Sequence, residues 1–264
     1  MATLPNRPEA IVFDLWYTLI CPEQHRPAGV RSTTAIPALL QLDPIRFARF
    51  WEAQLPTMYC SPRPLREYIA EYVSTLGRSL NEAETAAFEG VWAAHDTALR
   101  LPHPQVLGTL SQLIDSEVRL GLLSNAHERE IRHWPESPLS SCFDAVAFSC
   151  HIGCAKPWAS AYHHILEALG VRPENAVFVG DGASDELRGA REAGFGAVVF
   201  MRGLLAEFGI RKREYADLAR QADAVVDSIA EVAALLSAVD TSGQCGRITG
   251  GRSPRAKARG RARQ

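Results

Sequence analysis

Polar residues that could carry out chemistry follow several apolar runs of this 264-residue chain. They are Asp14 after AIVF, Ser124 and Asn125 after VRLGLL, Lys156 shortly after AVAFSC, and Asp181 and Asp185 after AVFVG. Each run is continuous rather than alternating, which is typical of a buried parallel strand. Because the carboxyl ends of parallel strands converge at one edge of a sheet, where ligands bind, we expect these groups to lie together.

This set of groups favours phosphoryl chemistry. Three carboxylates suit a hard divalent cation, for which Mg²⁺ is the expected cofactor. A cation, an ammonium and a hydroxyl suit an anionic phosphoryl group, and a central carboxylate such as Asp14 can act as a nucleophile. Taken singly, Asp14 could instead cap a helix, Ser124-Asn125 could form a turn, and Lys156 could lie at the surface. The prediction of phosphoryl chemistry therefore depends on all of these groups occurring together.

The order of the apolar runs predicts the fold class. Strands are expected at 10–13, 118–124, 145–150, 176–180, 197–201 and 224–227, with helical patterns between them. Such alternation predicts an α/β fold with a doubly wound parallel sheet of Rossmann-like form. Residues 21–101 lack strand-like runs and carry helix signals such as Asp43-Pro44 and a single helical pattern that starts at Asn81. We therefore predict a core of 1–20 and 102–240 with an inserted all-helical cap of 21–101.

Composition bounds the classes of protein to which the chain can belong. The apolar fraction of 47% and charged fraction of 22% are typical of a globular protein, and no apolar run approaches ~20 residues. We expect a cytoplasmic protein with no membrane partner, because the N-terminal residues lack a signal peptide's apolar region. Residues 241–264 contain seven Arg or Lys and no acid. We predict a disordered basic tail, and favour a solvated role over nucleic-acid binding.

Four motifs resemble those of the haloacid dehalogenase (HAD) superfamily of hydrolases. They are FDLWYTL at 13–19, LLSN at 122–125, Lys156 within GCAKPWASAY, and VGDGASDE at 179–186. The resemblance covers about residues 9–235, and the helical insertion resembles the C1 type of cap. It implies that Asp14 is both nucleophile and Mg²⁺ ligand, with the backbone carbonyl of Trp16 and Asp181 as further ligands and Asp185 supporting the metal.

The same resemblance implies the residues that bind the phosphoryl group of a small phosphorylated substrate. Ser124 and Asn125 are expected to bind the transferring group, and Lys156 to neutralise it and Asp14. Thr18 is expected to shape the loop that follows the nucleophile.

One position departs from the pattern of the family's phosphatases. Most of them carry a second Asp two residues after the nucleophile, which protonates the leaving oxygen, and here that residue is Trp16. General acid–base catalysis is typically worth ~10²–10⁴ in rate. The family's dehalogenases carry an aromatic residue there but lack the acidic metal site. A Mg²⁺-dependent phosphatase is therefore our leading hypothesis, and a dehalogenase-like hydrolase and a weakly active or non-catalytic binding protein stay open.

The sequence gives only candidates for substrate contacts and for a substitute acid. Four arginines of the predicted cap could contact substrate, and two histidines could supply the proton that Trp16 cannot. The arginines are Arg26, Arg31, Arg63 and Arg66, and the histidines are His25 and His95.

Overall fold

A six-stranded parallel sheet forms the centre of the molecule. The computed structural model describes residues 8–27 and 31–243. The strands are β1 (Ala10–Phe13), β2 (Arg119–Ser124), β3 (Ala145–Phe148), β4 (Ala176–Gly180), β5 (Ala197–Met201) and β6 (Ala224–Val226). Their order is β3-β2-β1-β4-β5-β6, so the chain winds outward from β1 in both directions. The predicted α/β doubly wound fold is confirmed.

Helices surround the sheet and fill the connection between β1 and β2. That connection contains α1 (Ser32–Leu39), α2 (Pro44–Tyr59), α3 (Leu65–Thr75), α4 (Glu82–Gly90) and α5 (Ala93–Arg100), which we call the helical insertion. The later helices are α6 (Pro104–Asp115), α7 (Ser149–Ile152), α8 (Ala159–Leu169), α9 (Glu186–Glu192), α10 (Gly203–Glu207), α11 (Tyr215–Gln221) and α12 (Ile229–Gly243). The predicted cap and core boundaries stay predictions, as does the C1 type of the cap.

Two apolar layers cover the two faces of the sheet. Successive side chains of a strand point to opposite faces, so Ile11 and Phe13 belong to the layer that contains residues of α6 and α12. Ala10 and Val12 belong to the other layer, with residues of α8 and α9. All four of these β1 side chains are fully buried. This double burial explains why β1 is a continuous apolar run and fixes the position at which Asp14 leaves the sheet.

Some predicted element boundaries are wrong. The strand expected to reach residue 150 ends at Phe148, because Ser149 starts α7 and its hydroxyl accepts the backbone N–H of Ala126 at 3.0 Å. The pattern that starts at Asn81 forms two helices instead of one, and the first of them ends at Gly90. Glycine is a poor helix former, which is consistent with a break there.

The helical insertion has an apolar cluster of its own. Phe47, Trp51, Phe88 and Trp92 belong to it, and each is buried. Asn81 caps α4 as its residue type indicates, since its side chain accepts the N–H of Glu84 and the Glu84 carboxylate accepts the N–H of Asn81. The insertion therefore packs around an interior separate from the two layers of the sheet.

A turn after β2 connects the sheet to the insertion through a buried arginine. Arg129 donates two hydrogen bonds to the Asp96 carboxylate, at 2.7 and 3.0 Å, and two to Glu89, at 2.7 Å to its carboxylate and at 2.9 Å to its backbone carbonyl. The neighbouring Glu128 accepts the backbone N–H of Leu65, the first residue of α3, at 2.9 Å. Three helices of the insertion are thus attached to one short turn of the core.

Two expectations from the sequence concern membrane-spanning segments and the C-terminal part of the chain. Within the described ranges, no helix is both long and apolar enough to span a bilayer. The last helix continues to Gly243, so residues 241–243 of the predicted tail are helical. The rest of that predicted tail, 244–264, lies outside the described residues.

We predict that Arg129→Gln lowers the free energy of unfolding by about 3 kcal/mol, because it leaves the partly buried Asp96 carboxylate without its arginine and removes the buried one of the two arginines that bind Glu89. Arg132→Gln is the matched control, since Arg132 is exposed and contacts the same Glu89 at 3.2 Å. Its expected cost is below about 1 kcal/mol. Urea unfolding of both variants at equal m-value measures the difference. Equal losses would show that the buried contacts of Arg129 do not stabilise the fold.

Candidate active site

Asp14 is placed by the end of β1 and by a tight loop. Its backbone N–H donates to the carbonyl of Val179 at 2.9 Å, which extends the pairing of β1 with β4 by one residue. The chain then reverses, with Tyr17 in the left-handed region at φ 59°. This brings Thr18 back to the nucleophile candidate, where its hydroxyl donates to Oδ2 of Asp14 at 3.1 Å. Thr18 thereby orients the carboxylate, and Oδ1 is left for another partner.

That partner is Lys156, which is buried beneath the loop. Its Nζ donates to Oδ1 of Asp14 at 2.6 Å and to Oε2 of Glu186 at 2.5 Å. Burial alone lowers the pKa of the Lys156 ammonium, but the two carboxylates outweigh this effect and raise it, so the lysine stays charged. Asn125 fixes the lysine's backbone, accepting its N–H and donating to its carbonyl, both at 2.8 Å.

The loop after β4 brings Glu186 inward instead of Asp185. Ser184 and Asp185 have φ values of 53° and 55°, a conformation that non-glycine residues rarely adopt. Asp185 consequently points away from the cluster, and its carboxylate pairs with Arg188 at 3.1 Å near the surface. A side chain at Gly180 would collide with the Glu186 carboxylate, which explains the glycine there. The structure therefore does not place Asp185 with the other predicted metal ligands.

Three carboxylates form a cluster that could bind a cation. One oxygen each from Asp14, Asp181 and Glu186 lies within 4.8 Å of the others, and all three residues are buried. Burial raises the pKa of Asp181 and, further, that of Glu186, and the charge of Asp14 adds to both shifts. Crowded oxygen ligands of this kind fit Mg²⁺, because a divalent cation would relieve their mutual repulsion.

Asp181 also binds a residue that the sequence patterns did not indicate. Arg211 donates to its Oδ2 at 2.6 Å and to its backbone carbonyl at 2.8 Å, while Oδ1 accepts the N–H of Ala183. No motif surrounds Arg211, so only the folded chain reveals the contact. Glu186 was missed for a different reason, because it directly follows the residue that the motif spacing selects.

Two polar side-chain atoms near the cluster are buried and unpartnered among the described residues. They are the hydroxyl oxygen of Ser124, which is fully buried at the end of β2, and the indole nitrogen of Trp16. A buried hydroxyl without a partner costs free energy, so its presence is evidence of a ligand that completes the site. For Ser124 this agrees with the expected contact to a phosphoryl oxygen.

A cavity of about 320 Å³ lies above these groups, between the sheet and the helical insertion. Asp14, Lys156 and Asp181 line it from the core. Arg26 and Arg31 line it from the connection that leads into the insertion, whereas Arg63 is bound to Glu67 and Glu71. Arg66 and His25 are exposed. Among the four predicted arginines, the first two are therefore the ones positioned to contact substrate.

His95 also lines the cavity. Its ring meets that of Trp16 edge-on, with centroids 5.0 Å apart. Burial lowers the pKa of His95 to about 3, so the ring is neutral near pH 7.

Comparison with known proteins identifies the family. A family model described as haloacid dehalogenase-like hydrolase matches residues 8–194. The chain is 32% identical over 156 residues to a glyceraldehyde 3-phosphate phosphatase of Methanopyrus kandleri, an alignment that covers 53% of this chain and 66% of the relative. A second such phosphatase, from Methanothermobacter thermautotrophicus, is 30% identical over 51% of this chain and 65% of its own length. The chain thus spans just under two thirds of these relatives.

Solved structures agree in fold. A HAD phosphatase from Thermococcus onnurineus superposes with a TM-score of 0.58 at 19% identity, over 86% of this chain and 97% of the other. The L-2-haloacid dehalogenase of Xanthobacter autotrophicus does so with a TM-score of 0.52 at 21% identity, over 87% and 98% of the two chains. Similarity at this identity shows a common fold. With the family match over most of the sequence, it shows that the chain belongs to the haloacid dehalogenase-like hydrolases.

Proposed function

We propose that this chain is a Mg²⁺-dependent phosphatase that hydrolyses a small phosphorylated metabolite through an aspartyl-phosphate on Asp14. The observation that carries the proposal is the buried cluster of Asp14, Asp181 and Glu186 beside the Lys156 ammonium. The carboxylate oxygens could bind a metal cation, and the adjacent ammonium group could bind an anionic phosphoryl group. A phosphate ester with its metal ion requires both.

We assign the metal ligands to Asp14, Asp181 and the backbone carbonyl of Trp16, with Glu186 in the supporting role that the motif spacing gave to Asp185. When bound, Mg²⁺ supplies positive charge that offsets the repulsion between an anionic nucleophile and an anionic substrate. The raised pKa values of Asp181 and Glu186 support this assignment, since burial and neighbouring acids disfavour their charged forms unless a cation is present.

The chain's own residues then divide the remaining work. Thr18 and Lys156 hold one oxygen each of the Asp14 carboxylate, which orients it for attack on phosphorus. The Lys156 ammonium also offsets the charge of the phosphoryl group, and the hydroxyl of Ser124 donates to one of its oxygens. Asn125 acts mainly by fixing the backbone of Lys156, because both ends of its amide are engaged there.

The relatives support a small substrate of this class. The activities for which they are named concern phosphate esters of compact metabolites, among them glyceraldehyde 3-phosphate and phosphoserine. A cavity of about 320 Å³ suits ligands of this size, and Arg26 and Arg31 add positive charge at its wall. A cytoplasmic location remains a prediction from the sequence.

A second function, release of halide from a haloacid, has one observation in its favour. Trp16 occupies the position of the acid that a phosphatase uses, and a halide leaves without a proton. The acidic cluster favours the phosphatase. Chloride release from 2-chloropropionate without Mg²⁺, together with inactivity on phosphate esters, would select the haloacid reaction.

Asp14→Asn should reduce phosphate release by a factor on the order of 10³ or more, because the amide cannot form the aspartyl-phosphate. The measurement is a panel of small phosphate esters, including glyceraldehyde 3-phosphate and phosphoserine, with and without Mg²⁺. Asp115→Asn, at the exposed end of α6, is the control and should retain activity. Thermal unfolding checks that Asp14→Asn folds. A folded variant with most of its activity would remove Asp14 from the mechanism.

Glu186→Gln should weaken Mg²⁺ binding by ~10–100-fold, the usual effect of losing a supporting ligand. Asp185→Asn should change it by less than about fivefold, because its ion pair with Arg188 is exposed. Isothermal titration calorimetry of the two folded variants with Mg²⁺ alone measures both without reference to turnover. The reverse order of effects would restore Asp185 as the supporting ligand that the motif spacing predicts.

A further inference from the structure

Trp16 leaves the reaction without the usual proton donor, so another group at the cavity wall has to supply the proton. The carboxylates of the cluster are engaged with Lys156 or with the metal that we propose. Glu23 is bound to Arg26 and to the Tyr17 hydroxyl, each at 3.0 Å. One further acidic side chain lines the cavity in the described part of the chain, and it is Glu130.

Glu130 lies in the turn after β2, and its side chain is 16% exposed. One carboxyl oxygen accepts the backbone N–H of His127 at 3.3 Å. The other lies 3.6 Å from Nε2 of His127 and 4.0 Å from Nε2 of His95. No arginine or lysine within the described ranges forms an ion pair with this carboxyl group. The backbone N–H of His127 therefore holds this carboxyl group, and two imidazole rings lie beside it in place of a cation.

The groups that face Glu130 come from five parts of the chain. They are His127 in its own turn, His95 of α5, Tyr59 of α2, Cys150 of α7 and, at longer range, Arg26. Burial raises the pKa of Glu130 to about 8, and the His127 N–H and the charge of Arg26 only partly oppose this. Burial lowers the pKa of His127 to about 3, so that ring is neutral.

The other ionisable groups near Glu130 are poorer proton donors. Burial raises the pKa values of both Tyr59 and Cys150, so each gives up its proton less readily than a carboxylic acid. A useful acid has a pKa close to the working pH, which Glu130 satisfies. His95 packs against Trp16 on one side and lies 4.0 Å from Glu130 on the other, so Glu130 lies one imidazole ring away from the position that the missing acid would occupy.

We propose that Glu130 is the general acid of this enzyme and supplies the proton that Trp16 cannot. The proposal rests on the phosphatase function proposed above. An oxygen of the Asp14 carboxylate forms a bond to phosphorus while the bond from phosphorus to the leaving oxygen breaks. The electron pair of that bond goes to the leaving oxygen, which takes the proton of the Glu130 carboxylic acid. An alcohol and the aspartyl-phosphate result.

The second step restores both residues. The Glu130 carboxylate takes a proton from a water molecule, whose oxygen attacks phosphorus. The bond between phosphorus and Asp14 breaks, and its electron pair returns to the carboxylate. Inorganic phosphate is released, Glu130 is again protonated, and no further reactant is needed.

The test compares Glu130→Gln on two kinds of ester. Glutamine has the shape and neutrality of the protonated acid but has no acidic proton. With an alkyl phosphate such as glycerol 3-phosphate, kcat/KM should fall by ~10²–10⁴, because its leaving oxygen is a strong base. With p-nitrophenyl phosphate, whose leaving group needs no proton, the fall should be below about tenfold.

Glu128→Gln is the matched control. Glu128 lies two residues away, is absent from the cavity wall, and accepts the Leu65 N–H through an oxygen that glutamine retains. The Glu128→Gln variant should have the same kcat/KM as the unmodified protein for both esters. In the unmodified protein, kcat/KM for the alkyl ester should also decline as the pH rises through about 8, and Glu130→Gln should abolish that decline.

The proposal is supported if Glu130→Gln lowers kcat/KM selectively for the alkyl ester and abolishes its decline at high pH. Equal losses on both esters, or none, would overturn the role of Glu130 while leaving the phosphatase function intact. If the unmodified protein hydrolyses neither ester with Mg²⁺, nor any other phosphate ester, the phosphatase function fails and the acid role fails with it. Thermal unfolding of each variant confirms that the comparison concerns folded protein.

Discussion

The ammonium group of Lys156 joins two buried carboxylates that come from distant parts of the chain. Asp14 ends β1 and Glu186 begins α9, and without a cation between them their repulsion would open this edge of the sheet. With Asp181, the site has three acids against the positive charges of Lys156 and Arg211. This excess of negative charge destabilises the site and favours the divalent cation that we propose, so the stability of this edge and the proposed metal binding share one electrostatic origin.

The sheet and the strand-end residues could be predicted because burial on both faces leaves a strong sequence signal. β1, β4 and β5 have the predicted bounds, since each is a continuous apolar run that ends where the polar site begins. Parallel topology alone then places Asp14 and Asp181 at the same edge. The end of β3 was predicted two residues too late, because Ser149 and Cys150 are also buried while being helical.

Contacts that depend on the path of a loop could not be predicted in this way. Glu186 takes the place in the cluster that was predicted for Asp185, because Ser184 and Asp185 both have a left-handed backbone conformation. The spacing of a motif does not encode that conformation. Neighbouring structure must over-determine such a conformation, since it costs on the order of 1–3 kcal/mol per residue. Here the hydrogen bond from the Gly182 N–H to Glu186, at 2.8 Å, and the ion pair with Lys156 do so.

The turn after β2 connects the position of the helical insertion with the chemistry of the cavity. Arg129 points into the insertion and binds Asp96 of α5, whereas the next residue, Glu130, lines the cavity. His95 lies one residue before Asp96, and it is the ring that separates Glu130 from Trp16. A movement of α5 that breaks the Arg129 ion pair would therefore also displace His95 from Glu130. The placement of the insertion and that of the cavity's acidic group thus depend on the same turn, because three consecutive residues, Glu128 to Glu130, make both sets of contacts.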